Sequence, residues 1–418
     1  MTVFRPIQTG QTRRAKTQGD KGETMDDLKR LKKRDFLKGF GMVSAGVVGA
    51  AGEVLAQPAK PAGGGYPPGV PKATGRSMLD SPHYIGTASK GYGFKANWAR
   101  TLPWVPTVDP NYKPRRINKA IELWEDNQVV AYAEFGASGA PDTYEEGKRM
   151  AKTYCDAINY EMENDSFNFD GLRNFMQGLV DGGPTPSGHR TPMVFVTLPA
   201  WGFDGPSMRA NVWQIHQSLA AGAHGVLICE MESPEAAEIA IAGGRYKWTW
   251  PGVEELPIEG VRGAGSQTFA AHIWGVSQNE YLRLADTWPH NPKGEITMGF
   301  KLENRRSAMA AEQLMAVKGL AFAEPGPSDN GWSHLGYDAI REDLTREQRA
   351  ALPASKRLEE DLERIRLAAK KNNVKWLGNG PPGATPQQEI DQGRRMGPAG
   401  TEEKVHADRL YTKRRMPY

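Results

Sequence analysis

The sequence has only two cysteines in 418 residues, Cys155 and Cys229. They share no metal-ligand spacing and both lie in or beside apolar runs, so each is expected to be a buried free thiol rather than half of a disulfide. No apolar run approaches the roughly 18 residues that a membrane span needs. No Gly-rich turn follows the first strand-like run, which removes the dinucleotide-binding fingerprint. An excess of one charge is also missing where it would matter. The formal net charge is +4, yet residues 1–56 hold eleven Lys and Arg against six Asp and Glu, leaving 42 against 43, a net of −1, in the rest. The pI of 8.8 therefore belongs to the N-terminal stretch, and a nucleic-acid-binding surface loses its support.

The N-terminal stretch has the layout of a secretory signal. Lys33-Arg34-Asp35-Phe36-Leu37-Lys38 precedes a mildly apolar run from Gly39 to Ala51, and Val54-Leu55-Ala56 supplies a small-residue cleavage site. The basic-x-Phe-Leu-Lys core resembles a twin-arginine export signal, with Lys33 where the first Arg belongs and Met25 as an internal start. Residues 1–56 are thus expected to be a signal region. The export machinery is then a partner, and the mature protein is periplasmic or extracellular.

Residues 57–116 are rich in Pro and Gly at first and in unpatterned aromatics later, and read as a linker and surface arm. From residue 117 helix and strand signals alternate. Val129 to Phe135, Ala157 to Tyr160, Met193 to Thr197, Val226 to Cys229, Ile296 to Leu302, Leu320 to Ala323 and Val374 to Leu377 are short, near-continuous apolar runs. Such runs belong to strands buried on both faces of a parallel sheet. About seven βα units over about 260 residues predict an α/β fold of the (β/α)8 TIM-barrel type spanning 117–378. The eighth strand is not visible. Residues 379–418 read as a polar, basic extension, and 241–292 as a long insertion at the active face.

Barrel chemistry sits at strand C-termini, and four such ends stand out. In Gly299-Phe300-Lys301-Leu302-Glu303, strand alternation points Lys301 and Glu303 the same way. The run Glu324-Pro325-Gly326-Pro327-Ser328-Asp329 follows the next strand. Carboxylates at neighbouring strand ends suit a divalent ion that keeps several waters, so Glu303 and Asp329 are the expected metal ligands, for Mg²⁺ or Mn²⁺ ahead of Co²⁺ or Zn²⁺. Tyr160-Glu161-Met162-Glu163-Asn164 is dense in acids. Arg262, flanked by glycines, can offer a guanidinium fork to a carboxylate.

In order, several stretches resemble the HpcH/HpaI family of metal-dependent 2-keto-3-deoxy acid aldolases and citrate lyases. They are Ala221-Gly222-Ala223-His224-Gly225-Val226-Leu227, Glu232-Ser233-Pro234-Glu235-Ala236, Gly260-Val261-Arg262-Gly263-Ala264-Gly265, the strand ending at Glu303, Gly319-Leu320, Gly326-Pro327-Ser328-Asp329 and Leu335-Gly336. The resemblance covers about residues 117–345. It implies a homo-oligomeric barrel in which Glu303 and Asp329 hold a divalent metal. That metal chelates a 2-oxo acid and stabilises the enolate formed when a carbon–carbon bond breaks.

Three positions depart from the family. Asn164 stands where the aldolases carry a His that moves protons, leaving Glu161, Glu163 or Lys301 to substitute. Leu198 stands where an Arg holds the pyruvate oxygens. Lys301 replaces a Gln and offers a cation beside the metal acids. Trp201, Leu198, Pro327 and Ser328 are expected around the substrate, with Trp201, Trp248, Trp250, Trp274 and Trp332 giving the mouth aromatic surfaces. The leading expectation is a divalent-metal-dependent carbon–carbon lyase of the aldolase type acting on an oxygenated 2-oxo or hydroxy acid, aromatic acids included, through a metal-stabilised enolate. The alternatives are a non-catalytic carboxylate-binding barrel, or a related lyase or hydrolase working through Glu161, Glu163 and Lys301.

Overall fold

A computed structural model describes residues 98–136, 143–378 and 384–418. The signal region at 1–56 and the linker at 57–75 lie outside the described residues. Among those described, no helix is long and apolar enough to cross a membrane.

Eight parallel strands form a closed ring. They are β1 Val130–Gly136, β2 Ala157–Glu161, β3 Met193–Leu198, β4 Gly225–Ile228, β5 Ile296–Lys301, β6 Leu320–Glu324, β7 Lys375–Leu377 and β8 Arg394–Pro398. Each pairs with the next in chain order, and β8 returns to β1 with Val130 opposite Met396. A two-residue strand, Thr287–Trp288, adds to the start of β5. This is the (β/α)8 barrel expected from the sequence.

Strand alternation divides the apolar side chains into two cores. Val194, Val196 and Leu198 of β3 face outward and join the large core under the helices, with Leu172, Phe175, Met176 and Leu179 of α3 Phe169–Gly182. Tyr132, Phe195 and Phe322 face inward and pack on one another at 5.4 and 5.7 Å between ring centroids. Gly299 makes room for them, since a Cβ there would lie 2.3 Å from the Phe322 ring. The N-terminal end of the barrel is closed by α1 Lys119–Glu125, capped by the Asn118 side chain, whose Trp124 stacks on Trp288. The interior is therefore an aromatic plug below and polar above, where the next inward positions of β1, β5 and β6 are Glu134, Lys301 and Glu324.

Three expectations about organisation need correction. The segment 379–418 is not an extension, because it carries β8 and the final helix Glu402–Tyr411. The eighth strand escapes a search for apolar runs because Arg394-Arg395-Met396-Gly397-Pro398 is basic and Pro-ended. Its Arg394 is nonetheless buried against Glu389 and Asp408. The surface arm, where described, is tied to that C-terminus: Glu402 accepts from the Thr101 and Leu102 N–H groups, and Asp109 N–H donates to Arg415 O. Finally, the 241–292 insertion lies at the N-terminal end of the barrel and not at the active face. Trp274 Nε1 donates to Gly222 O, and Arg190 Nε to Ile273 O, both just ahead of strand starts.

Candidate metal centre

At the C-terminal mouth, six carboxylates share the field of one cation. Glu134, Glu161, Glu163, Glu303, Glu324 and Asp329 all have the Lys301 ammonium as an electrostatic neighbour. Lys301 Nζ lies 2.5 Å from Glu163 Oε2 and 3.6 Å from Glu303 Oε1. Burial alone would lower the Lys301 pKa, but Cys229 and the carboxylates of Glu324, Glu303 and Glu163 outweigh it and hold the ammonium charged. One cation cannot serve six anions. Burial pushes Glu303 up to about 8 and both Glu161 and Glu324 up to about 7, with Lys301 only partly opposing each shift. Glu134, Glu230 and Asp329 are raised for the same reason.

Glu303 is the best-defined member. Its residue is 1% exposed, and its Oε2 accepts from the Glu230 N–H at 3.0 Å. Glu230 donates from a left-handed backbone, φ 51°, which is uncommon for a residue with a side chain. From above, Gly326 closes on the same carboxylate, and a Cβ there would sit 2.4 Å from Glu303 Cγ and 2.7 Å from Oε1. Asn330 fixes that loop by donating to Leu302 O and Pro325 O. Glu303 Oε1 nevertheless has no hydrogen-bond partner. A buried carboxylate oxygen without a donor costs about 1–3 kcal/mol or more, and here it faces the mouth.

Ligand atoms of Glu163, Cys229 and Glu303 all lie within 4.8 Å of one another. These residues fit a divalent cation, since the donors converge and Glu303 Oε1 has no hydrogen-bond donor, only the Lys301 ammonium at 3.6 Å. Asp329 is outside that cluster. It lies half-buried in the first turn of α10 Pro327–Leu335, directly after the Gly326 loop that packs on Glu303.

The remaining expected site residues divide between those near the mouth and those carried elsewhere. Glu161 Oε1 accepts from the Glu163 and Asn164 N–H groups at 2.6 and 3.3 Å. Asn164 contributes that backbone contact and is itself exposed. Pro327 and Ser328 are exposed on the first turn of α10, and Trp201 is 52% exposed after β3. Leu198 faces the outer core and is fully buried, so the position read as a vacated arginine site does not point into the mouth.

Arg262 is at the opposite end of the barrel. It is 1% exposed, lies 4.4 Å over the Tyr246 ring and donates to the Tyr281 hydroxyl, which donates in turn to Leu219 O ahead of β4. Of the glycines that suggested access to a ligand, Gly260 packs tightly against the Tyr246 carbonyl, while Gly263 and Gly265 have nothing within 4 Å of a Cβ position. Trp248, stacked on Tyr246, and Trp274, stacked on His224, share that end. His334 bridges Asn330 O and Asp361 and serves packing. Reading the sequence alone misses Glu134 and Cys229. The signal for Glu134 was alternation, two residues after the inward-facing Tyr132.

No family model matches the chain, and no curated protein matches it. Among solved structures it is similar to an HpcH/HpaI aldolase/citrate lyase family protein from Burkholderia cenocepacia J2315, at 18% identity over 70% of this chain and 96% of that one, with a TM-score of 0.49. It is also similar to an HpcH/HpaI aldolase from Desulfitobacterium hafniense DCB-2, at 15% identity over 70% and 95%, TM-score 0.47. Macrophomate synthase matches at 15% identity over 70% and 87%, TM-score 0.45. At such identities the likeness is one of fold, and the barrel itself stands on its own strand pairing.

Proposed function

We propose that the protein is a divalent-metal-dependent carbon–carbon lyase of the aldolase type, acting on an oxygenated 2-oxo or hydroxy acid at the barrel mouth. The observation that carries this reading is the Glu303 carboxylate, buried with one oxygen that has no hydrogen-bond donor in a mouth where, among the described residues, six acids share one ammonium. Glu303 would hold the cation with help from its acidic neighbours, Asp329 among them. When bound, the cation supplies Lewis-acid stabilisation of the negative charge that develops on the substrate oxygen.

The chain's own groups divide the remaining work. The Lys301 ammonium is the positive charge available to a substrate carboxylate, a role it can take only by loosening its pair with Glu163. Glu161, raised to about 7 by burial, exchanges a proton near neutral pH and so can stand in for the histidine that Asn164 replaces. Trp201 offers an exposed ring at the rim for a bulky or aromatic acid. The same reading makes the protein an exported homo-oligomer, carried by the twin-arginine machinery.

The test is turnover of 2-oxo-hydroxy acids by the full-length chain with added Mg²⁺, Mn²⁺ or Co²⁺. Glu303→Gln and Asp329→Asn should each abolish turnover with the circular-dichroism spectrum unchanged; full activity in the double variant ends the proposal. A second reading rests on Lys301 lying among the acids, where a cation is called for. There, Lys301 is the electrophile and Glu161 the base of a lyase or hydrolase that ignores added metal. Activity that survives chelation but not Lys301→Met would select it.

A further inference from the structure

The sequence gives no reason to place a cysteine in the acid cluster, yet Cys229 is there. It follows β4, is 0% exposed, and has its sulfur within 4.8 Å of carboxylate oxygens of Glu163 and Glu303. A structural cysteine is buried among apolar groups; this one has Glu163, Glu303 and Lys301 as neighbours. We propose that Cys229 is a protein ligand of the cation at this mouth, together with Glu303 and Glu163, so that the site prefers a borderline ion such as Zn²⁺ or Co²⁺ to Mg²⁺. The inference rests on the reading that Glu303 holds a divalent metal, and adds to it the ion's identity.

The geometry allows this. One tetrahedral ion with a metal–sulfur bond of about 2.3 Å and metal–oxygen bonds of about 2.0–2.2 Å holds donors roughly 3.4–3.7 Å apart. The three ligand atoms, all within 4.8 Å of one another, need to close by no more than roughly 1.4 Å, a movement within reach of side-chain rotation. The second observation is independent of the cysteine: Glu303 Oε1, 1% exposed by residue, has no hydrogen-bond donor and lies in the same cluster. The donor chemistry sets the preference. A thiolate selects Zn²⁺ and its neighbours, whereas Mg²⁺ demands a near-octahedral shell of oxygens.

The exchange balances. The Cys229 S–H bond breaks, a sulfur–metal bond forms, and the proton leaves to solvent. No electrons are transferred. Lys301 gives up its contact with Glu163, which frees the ammonium for a substrate carboxylate.

The experiment titrates Co²⁺ alone into chelator-treated, full-length protein and into the Cys229→Ser, Cys229→Ala and Glu303→Gln variants, with circular dichroism to confirm the fold. The expected result is a sulfur-to-cobalt charge-transfer band in the near ultraviolet for the wild type that both cysteine variants lack. Zn²⁺ affinity should fall by about tenfold or more in those variants, the scale on which a metal site responds to losing a supporting group, while Mn²⁺ affinity changes far less. Co²⁺ bound without the band, and equally by Cys229→Ser, overturns the thiolate ligand and leaves the Glu303 reading standing. A band that persists in Glu303→Gln would overturn the Glu303 reading instead. No Co²⁺ binding to the wild type sinks both.

Discussion

The two ends of this barrel bury the same chemical group and treat it in opposite ways. At the N-terminal end, Asp156 is fully buried, but three cations reach it: Lys119 at 3.2 Å, Arg409 at 3.1 Å and Arg414 at 2.7 Å. Burial pushes its carboxyl up, and those charges outweigh burial and hold it far below the usual range. Glu122, also at that end, accepts from His189, Tyr112 and the Arg115 and Arg116 N–H groups; against the same opposing burial these lower it to about 2. At the C-terminal end Glu303, Glu161 and Glu324 are raised to about 8, 7 and 7, because burial there is not offset. Around Asp156 and Glu122 the N-terminal end matches its buried carboxylates and serves the fold, although Glu295 at the same end is raised to about 7 by burial. The other is short of positive charge, and that shortfall is what a bound cation would supply.

The largest effect should come from breaking the matched end. Asp156→Asn would leave Lys119, Arg409 and Arg414 buried without their common anion, and removing one partner of a buried pair costs about 3–5 kcal/mol. Lys119, lowered to about 8 chiefly by burial, would limit the loss by giving up its proton. Urea denaturation near neutral pH measures this, and a midpoint within error of wild type would contradict the comparison.

Lys301→Met in metal-free protein should cost less, about 1–3 kcal/mol at pH 8, because the carboxylates it leaves can take up protons. The sign follows from their raised values. At pH 5 Glu303, Glu161 and Glu324 are already largely protonated, so the deficit should shrink there. A deficit equal at both values would mean that Lys301 acts by packing and not by charge.

Much of the fold was legible because seven strands are plain apolar runs, and a run of that kind has few other places to go than a two-sided sheet. The eighth was not, because Arg394 and Arg395 flank Met396, and only tertiary pairing with Asp408 and Glu389 makes a buried arginine tolerable there. At the site, Lys301 and Glu303 were legible from alternation within one strand. Arg262 was misplaced because spacing along the chain does not say to which end of the barrel a long insertion returns. Leu198 was misassigned by one residue of alternation, the inward side chain being that of Thr197, which donates to Asn159. Cys229 looked like an apolar filler, since nothing local to β4 reveals that acids from two other strand ends will surround it.

The most direct test of the central claim is urea stability of chelator-treated, full-length protein at pH 5 and pH 8, with and without Mn²⁺, an ion that thiols of the unfolded chain hold weakly. In the folded state Glu303, Glu161 and Glu324 keep protons that the unfolded chain sheds near pH 4.5. Their contribution to stability must therefore fall as pH rises from about 4.5 to 8. His216 and His224, lowered to about 4 and 3 by burial, add stability over the same range. The three raised carboxylates outweigh them, so the account predicts metal-free protein less stable at pH 8 than at pH 5. Mn²⁺ at a hundred times its dissociation constant should then restore about 2.7 kcal/mol at pH 8 and almost nothing in Glu303→Gln. Stability that does not fall between pH 5 and 8, or a Mn²⁺ effect that survives Glu303→Gln, would contradict it.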